Sequence, residues 1–257
     1  MLDAEQLAFA ELSAWEMKMR SHPSIPNRMA KYLQNKINNV IPDKVHQGIT
    51  FAIEKMVKGV LFGSKFITSA PLENAPLGVR ESLVQKKIEW YRNTASAEGA
   101  ITGAGGILMG FADFPAFLAI KMKLLFEIAA LYGYQVKNYK ERLFILHIFQ
   151  LAFSSQKGRN EVIELIADWD NYSQSLSEEV DDFDWRKFQL EYRDFIDLAK
   201  MAQLIPIIGA GVGAIANYKL VQLLGTTAMN CYRLRYFQYK EKIDGPKDKG
   251  TLPYEGK

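Results

Sequence analysis

Apolar positions along the chain recur at helical spacing, and no useful length alternates apolar and polar residues as a half-buried strand would. Residues 3–20 carry Leu7, Leu12, Trp15 and Met19 near that spacing, with Glu5, Glu11, Glu16 and Lys18 elsewhere on the wheel. His22-Pro23 and Ile25-Pro26 end this first helix, because proline removes a donor and pushes its predecessor out of helical geometry. A second helix is predicted over about 26–40. A third is predicted over 42–62, with Pro42 in the first turn, where proline is tolerated. Its apolar residues Val45, Ile49, Ile53, Met56, Val57 and Val60 keep one register. Two prolines and a glycine make 69–78 a loop, and a fourth helix starts near 79. Further helices are predicted over 115–132, stopped by Gly133, over 138–154, capped by Asn138, and over 159–171. In the second of these, Leu143, Leu146, Phe149, Gln150 and Phe153 share a face. The acidic stretch 173–184 reads as an exposed loop. A last long element runs from Trp185 to Ala202 and resumes at Pro206.

Two segments depart from the amphipathic pattern. Residues 99–112 hold Gly99, Gly103, Gly106 and Gly110 and no charge; after Asp113, the chain stays uncharged from Phe114 to Ile120. Residues 201–218 repeat the design with Gly209, Gly211 and Gly213, and 220–232 are again uncharged. Glycines four apart on a helix leave a groove in which another backbone can lie closely. Fourteen residues are too few for a straight span, which needs about 20. Joined across Asp113, the first segment reaches that length, either as a kinked span or as a hairpin with Asp113 at its tip. The hairpin is preferred, since Asp113 can cap the helix that Pro115 helps to open. Arg233, Arg235, Tyr236, Tyr239 and Lys240 then read as the aromatic and basic belt found where helices meet headgroups. The fold class expected is all-α: a multi-helix bundle with two glycine-rich apolar hairpin segments, one domain over 1–243 and a disordered tail over 244–257.

Composition narrows the function classes. Apolar residues at 48% and charged residues at 24% fit a globular protein, and a net charge of +3 gives no case for nucleic acid. The single cysteine, Cys231, rules out an internal disulfide framework, and the charged N-terminal helix lacks the form of a signal peptide. A cytoplasmic location follows, peripherally bound to or partly inserted in the membrane.

The chemistry-bearing residues are sparse. Gly209-Ala-Gly211-Val-Gly213 fits a loose dinucleotide fingerprint, yet no acid lies between Asp197 and Glu241, and the upstream stretch reads as helix. No cofactor is expected. Asp113 is either a helix cap or a buried carboxylate paired with Lys121, Lys123 or Arg142. Lys123 and Glu127 stand four apart with opposite signs. His147, alone in LFILHIFQL, reads as a hydrogen-bonded core residue rather than a metal ligand, and no metal site is expected.

The glycine-rich helix, the Ala112-Asp113-Phe114-Pro115 turn, the apolar helix with Lys121 and Lys123, and Leu131-Tyr132-Gly133-Tyr134 ahead of Glu141-Arg142 resemble the EcsC family. The likeness is closest over about 95–155 and extends to the glycines at 209–213. It implies an all-helical bacterial protein linked to membranes by association, since the family's namesake is encoded beside an ABC transporter. It implies no established reaction. The sequence thus favours an accessory protein that docks on or dips into the bilayer, with a membrane-protein partner. A soluble bundle binding a lipid or other apolar ligand is the alternative, and a hydrolase or transferase using Asp113, Arg142 or His147 the third reading.

Overall fold

The computed structural model describes residues 3–20, 43–62, 70–104, 114–154, 156–177 and 209–244. Eight helices are found there: α1 (Ala4–Arg20), α2 (Asp43–Phe62), α3 (Leu77–Ala104), α4 (Phe114–Leu131), α5 (Tyr139–Phe153), α6 (Gln156–Ala167), α7 (Trp169–Gln174) and α8 (Gly209–Asp244). No strand occurs among the described residues. The all-α reading holds, and most helix limits fall within two residues of those the pattern predicts. The predicted helix over 26–40 and that from Trp185 lie outside the described residues, as does the tail. The single helix expected over 159–171 is instead two, α6 and α7, separated at Asp168.

The spine of the bundle is the antiparallel pair α3 and α8. Their 28 and 36 residues correspond to about 42 and 54 Å of helix. Arg92 bonds Gln222, Ile88 lies against Gly225, and Glu81 bonds Arg233, so α3 numbers rise as α8 numbers fall. α4 is antiparallel to α3 on another side: Arg80 reaches Leu131 O, while Lys87 and Tyr91, further along α3, reach Glu127.

α5 is the buried centre. Every residue from Leu143 to Phe153 is buried, so it has no polar stripe; the one-face reading of this helix is too narrow. α2 presents Ile49, Ile53, Met56, Val57 and Val60 inward in the register its sequence predicts. On α1, Leu12 is buried and Trp15 and Met19 pack partly inside, but Leu7 faces water and Ala8 takes the inner position.

Helix ends follow local chemistry. Asn138 Oδ1 accepts the Lys140 N–H, the cap expected at the start of α5. Gly133 stops α4 with φ +94°: its N–H reaches Ala130 O, and Tyr134 N–H reaches Ala129 O. Arg80 donates to Leu131 O at that same end. Arg142 donates to Leu61 O and Val136 O, closing the last turn of α2.

Candidate functional site

Two ends of the bundle differ in kind. At one end, charged residues from four helices meet in the interior. Arg233 on α8 holds Glu81 on α3 by two bonds, Nε to Oε1 at 2.6 Å and Nη2 to Oε2 at 2.9 Å. Its Nη2 also lies 2.8 Å from Glu11 of α1, and its Nη1 donates to Asn230. Two residues on, Arg235 donates to both oxygens of Glu141 on α5, while Tyr232 OH donates to Glu141 Oε1 at 2.8 Å. The Arg235 guanidinium lies over Tyr134 at 3.8 Å and Phe144 at 4.4 Å. Tyr132 and Tyr232 stack at 5.3 Å and join the two ion pairs into one network.

Arg233 and Arg235 are therefore not a headgroup belt. Arg233 is 4% exposed, and its partners lie on distant parts of the chain. Tyr236 OH donates to Glu5, and Lys240 pairs with the same carboxylate; only Tyr239 of the five stays exposed. These charges serve the interior because a desolvated guanidinium requires a geometrically good carboxylate partner.

The network fixes its own protonation. Burial raises the Tyr132 and Tyr232 phenols far above their ordinary range, assisted by Glu81 and Glu141 respectively. Burial alone would lower Arg233 and Arg235, but the adjacent carboxylates outweigh it and raise both. Burial likewise raises the Cys231 thiol, so it is held protonated. Every one of these groups is set away from proton exchange near neutrality, and the network works as a clamp.

His147 behaves as a core residue. It is buried, its Nδ1 lies 2.9 Å from Gln150 Oε1, and Trp169 and Tyr172 flank it. Burial lowers it to about 4, against an ordinary value near 6.5. The unfolded chain therefore binds a proton between these values that the folded chain refuses, and stability is lost as pH falls through that window. The loss attributable to this group is about 3 kcal/mol on going from pH 7 to pH 4. Chemical denaturation of wild type and His147→Gln across that range should show the variant losing less. Parallel pH profiles would remove the assignment.

The opposite end is built from the candidate glycine segments. Gly99 and Gly103 fall in the last turns of α3, and Gly209, Gly211 and Gly213 open α8. In the antiparallel register set by Arg92–Gln222 and Glu81–Arg233, Gly99 and Gly103 come level with the opening turns of α8. α4 starts at the same end, with Pro115 exposed and Phe114 buried. Gly106, Gly110 and Asp113 lie outside the described residues. The choice between a kinked span and a hairpin falls on 105–113, outside the described residues. No described helix is long and apolar enough to cross a membrane.

Beside this end, Lys121 is buried and Lys123 is exposed on α4. Glu127 pairs with Lys87 at 2.9 Å and accepts from Tyr91 OH at 3.0 Å, so its expected partnership with Lys123 is supplanted by α3. Among the described residues no group of histidine, cysteine, aspartate and glutamate side chains could hold a metal.

Sequence reading missed Glu81 and Gly225, and it missed the pairing of Glu141 with Arg235. Glu141 looks like an ordinary first-turn acid favoured by the helix dipole. The available signal was that Arg233 and Arg235 interrupt a helix whose neighbours, Tyr232 and Leu234, are apolar.

The described residues thus form a helical bundle clamped at one end by buried ion pairs, with the uncharged stretches 99–104, 114–120 and 209–218 toward the other, and without a recognisable catalytic centre among them. The EcsC protein family matches residues 6–237, and the chain belongs to that family. It is 44% identical to Protein EcsC of Bacillus subtilis (strain 168) over 231 residues, covering 90% of this chain and 95% of that protein. It is also 32% identical over 166 residues to Uncharacterized protein YdbA of the same strain, covering 64% of this chain and 60% of that one. No solved structure matches the chain. The residues that carried the resemblance have structural work in this fold. Tyr132, Tyr134 and Glu141 belong to the clamp, Gly133 ends α4, and Arg142 fastens α2.

Proposed function

We propose that the protein is an accessory protein that docks on the cytoplasmic face of a membrane through its uncharged end. The observation that carries this reading is the convergence of three helix ends, those of α3, α4 and α8, whose residues 99–104, 114–120 and 209–218 include no charge. Ile215, on the opening turns of α8, is 59% exposed at that end. A bundle surface in water ordinarily carries polar residues on such turns, so an uncharged end favours a nonpolar neighbour. A membrane-protein partner, such as the ABC transporter that the family resemblance suggests, would be met at the same end.

Fractionation of cells tests the reading. The protein is expected in the membrane pool and to stay there through a high-salt wash. Ile215→Asp, at an exposed position that should leave folding intact, is expected to shift it to the soluble pool. Recovery of the wild type in the soluble pool would overturn the proposal, and an extractable lipid in that soluble protein would establish the apolar-ligand alternative instead.

A further inference from the structure

Helix α1 is turned the unusual way round on the clamp end. A surface helix ordinarily buries its apolar face and gives its charges to water. α1 does bury Ala8 and Leu12, with Trp15 and Met19 partly inside. Its charges, however, are also engaged with the bundle or along the helix. Glu5 accepts from Tyr236 OH and pairs with Lys240, Glu11 lies 2.8 Å from Arg233, and Arg20 pairs with Glu16 and with Glu164 of α6. What remains for water is a stripe of Leu7, Ala10, Ala14 and Met17, all exposed, Met17 by 69%. The polar residues beside this stripe are bonded within α1 itself: Gln6 Oε1 accepts the Asp3 N–H, and Ser13 Oγ donates to Phe9 O.

The stripe has the alternating three-and-four spacing by which one helix packs along another. It is also complementary to itself. A two-fold axis at the level of Leu12 sets Leu7 of one copy against Met17 of a second, and Ala10 against Ala14. Large residues then meet at both ends of the seam and small ones at its centre, where two helices approach most closely. Charge selects the same arrangement. α1 is acidic at its start, with Asp3 and Glu5, and basic in its last turn, with Lys18 and Arg20. Antiparallel pairing opposes these unlike ends and the two helix dipoles, whereas parallel pairing would oppose like with like. Glu11, which flanks the stripe near the axis, already has its charge compensated by Arg233.

We infer that the outward face of α1 is an interface with a second copy of this chain, the two α1 helices packing antiparallel through Leu7, Ala10, Ala14 and Met17. The contact is one helix wide and about 26 Å long. It falls short of the ~800 Å² per partner of a standard interface, so the dimer is a weak one, with a dissociation constant on the order of 10 μM.

Sedimentation of the purified full chain over a concentration series measures the association. Ala14→Glu, at an exposed position that leaves the monomer fold intact, should weaken it at least ~10-fold, because each dimer then buries two carboxylates against alanine. Cross-linking reads the register independently of that variant. Cys231 is fully buried, so a short bismaleimide reacts only at introduced cysteines. A mixture of Leu7→Cys and Met17→Cys chains should link 7 to 17. Either variant alone, with its two cysteines about 15 Å apart along the seam, should stay unlinked. A chain that remains monomeric at ~100 μM would overturn the inference and leave the stripe to a different partner. A dimer that Ala14→Glu does not weaken, or one that links 7 to 7 or 17 to 17 in the single variants, would overturn it as well.

Discussion

Arg233→Met is expected to destabilise the fold by about 3–5 kcal/mol, more than any exposed charge change in the molecule. The arginine is 4% exposed and gives Glu81 two hydrogen bonds, so its loss leaves a buried carboxylate facing only Tyr132 OH at 3.4 Å. Glu11, half exposed, returns to water at little cost. The penalty therefore belongs to the stranded partner and not to the attraction itself. The double variant Glu81→Leu/Arg233→Met tests this, because removing both charges should recover much of the lost stability. Lys242 and Asp170 provide the contrast: both are largely exposed, and Lys242→Ala should cost less than about 1 kcal/mol. Urea titrations of the four proteins would settle the point. A double variant no more stable than Arg233→Met would mean that the arginine contributes by packing or through Glu11.

Much of this arrangement was legible from local pattern. The register of α2, the asparagine cap of α5 and the glycine stop of α4 depend on neighbours within a few residues, and each is found as expected. The clamp was not legible because its pairs are distant in sequence: Arg233 and Glu81 stand 152 residues apart. Read alone, Arg233, Arg235, Tyr236, Tyr239 and Lys240 have the composition of an interface belt. Only the approach of α1, α3 and α5 turns four of them inward. The full burial of α5 escaped for a related reason. Its polar residues meet in the core, where His147 Nδ1 lies 2.9 Å from Gln150 Oε1, and its burial on every side comes from neighbouring helices that no local window contains.

Gly225 shows the same dependence on a distant partner, and its substitution carries the other large effect. A Cβ at this position would lie 2.6 Å from both Cδ1 and Cγ1 of Ile88 and 3.0 Å from its Cγ2. Since Ile88 is 4% exposed and branched at Cβ, rotation alone does not clear the contact, and α3 must move away from α8. Gly225→Val is expected to cost about 3 kcal/mol through overpacking. Gly225→Ala should cost less, because alanine regains up to about 1 kcal/mol of helix propensity. Gly59 on α2 is the control: nothing lies within 4 Å of a Cβ there, so Gly59→Ala should be neutral or stabilising. Combining Gly225→Val with Ile88→Ala supplies the missing space, and the double variant should be more stable than the sum of the two single losses predicts. Strict additivity would show that the helices do not meet at this point. Because α3 and α8 also carry two of the three uncharged ends, separating them at Gly225 should reduce membrane retention, and the rescuing Ile88→Ala change should restore part of it.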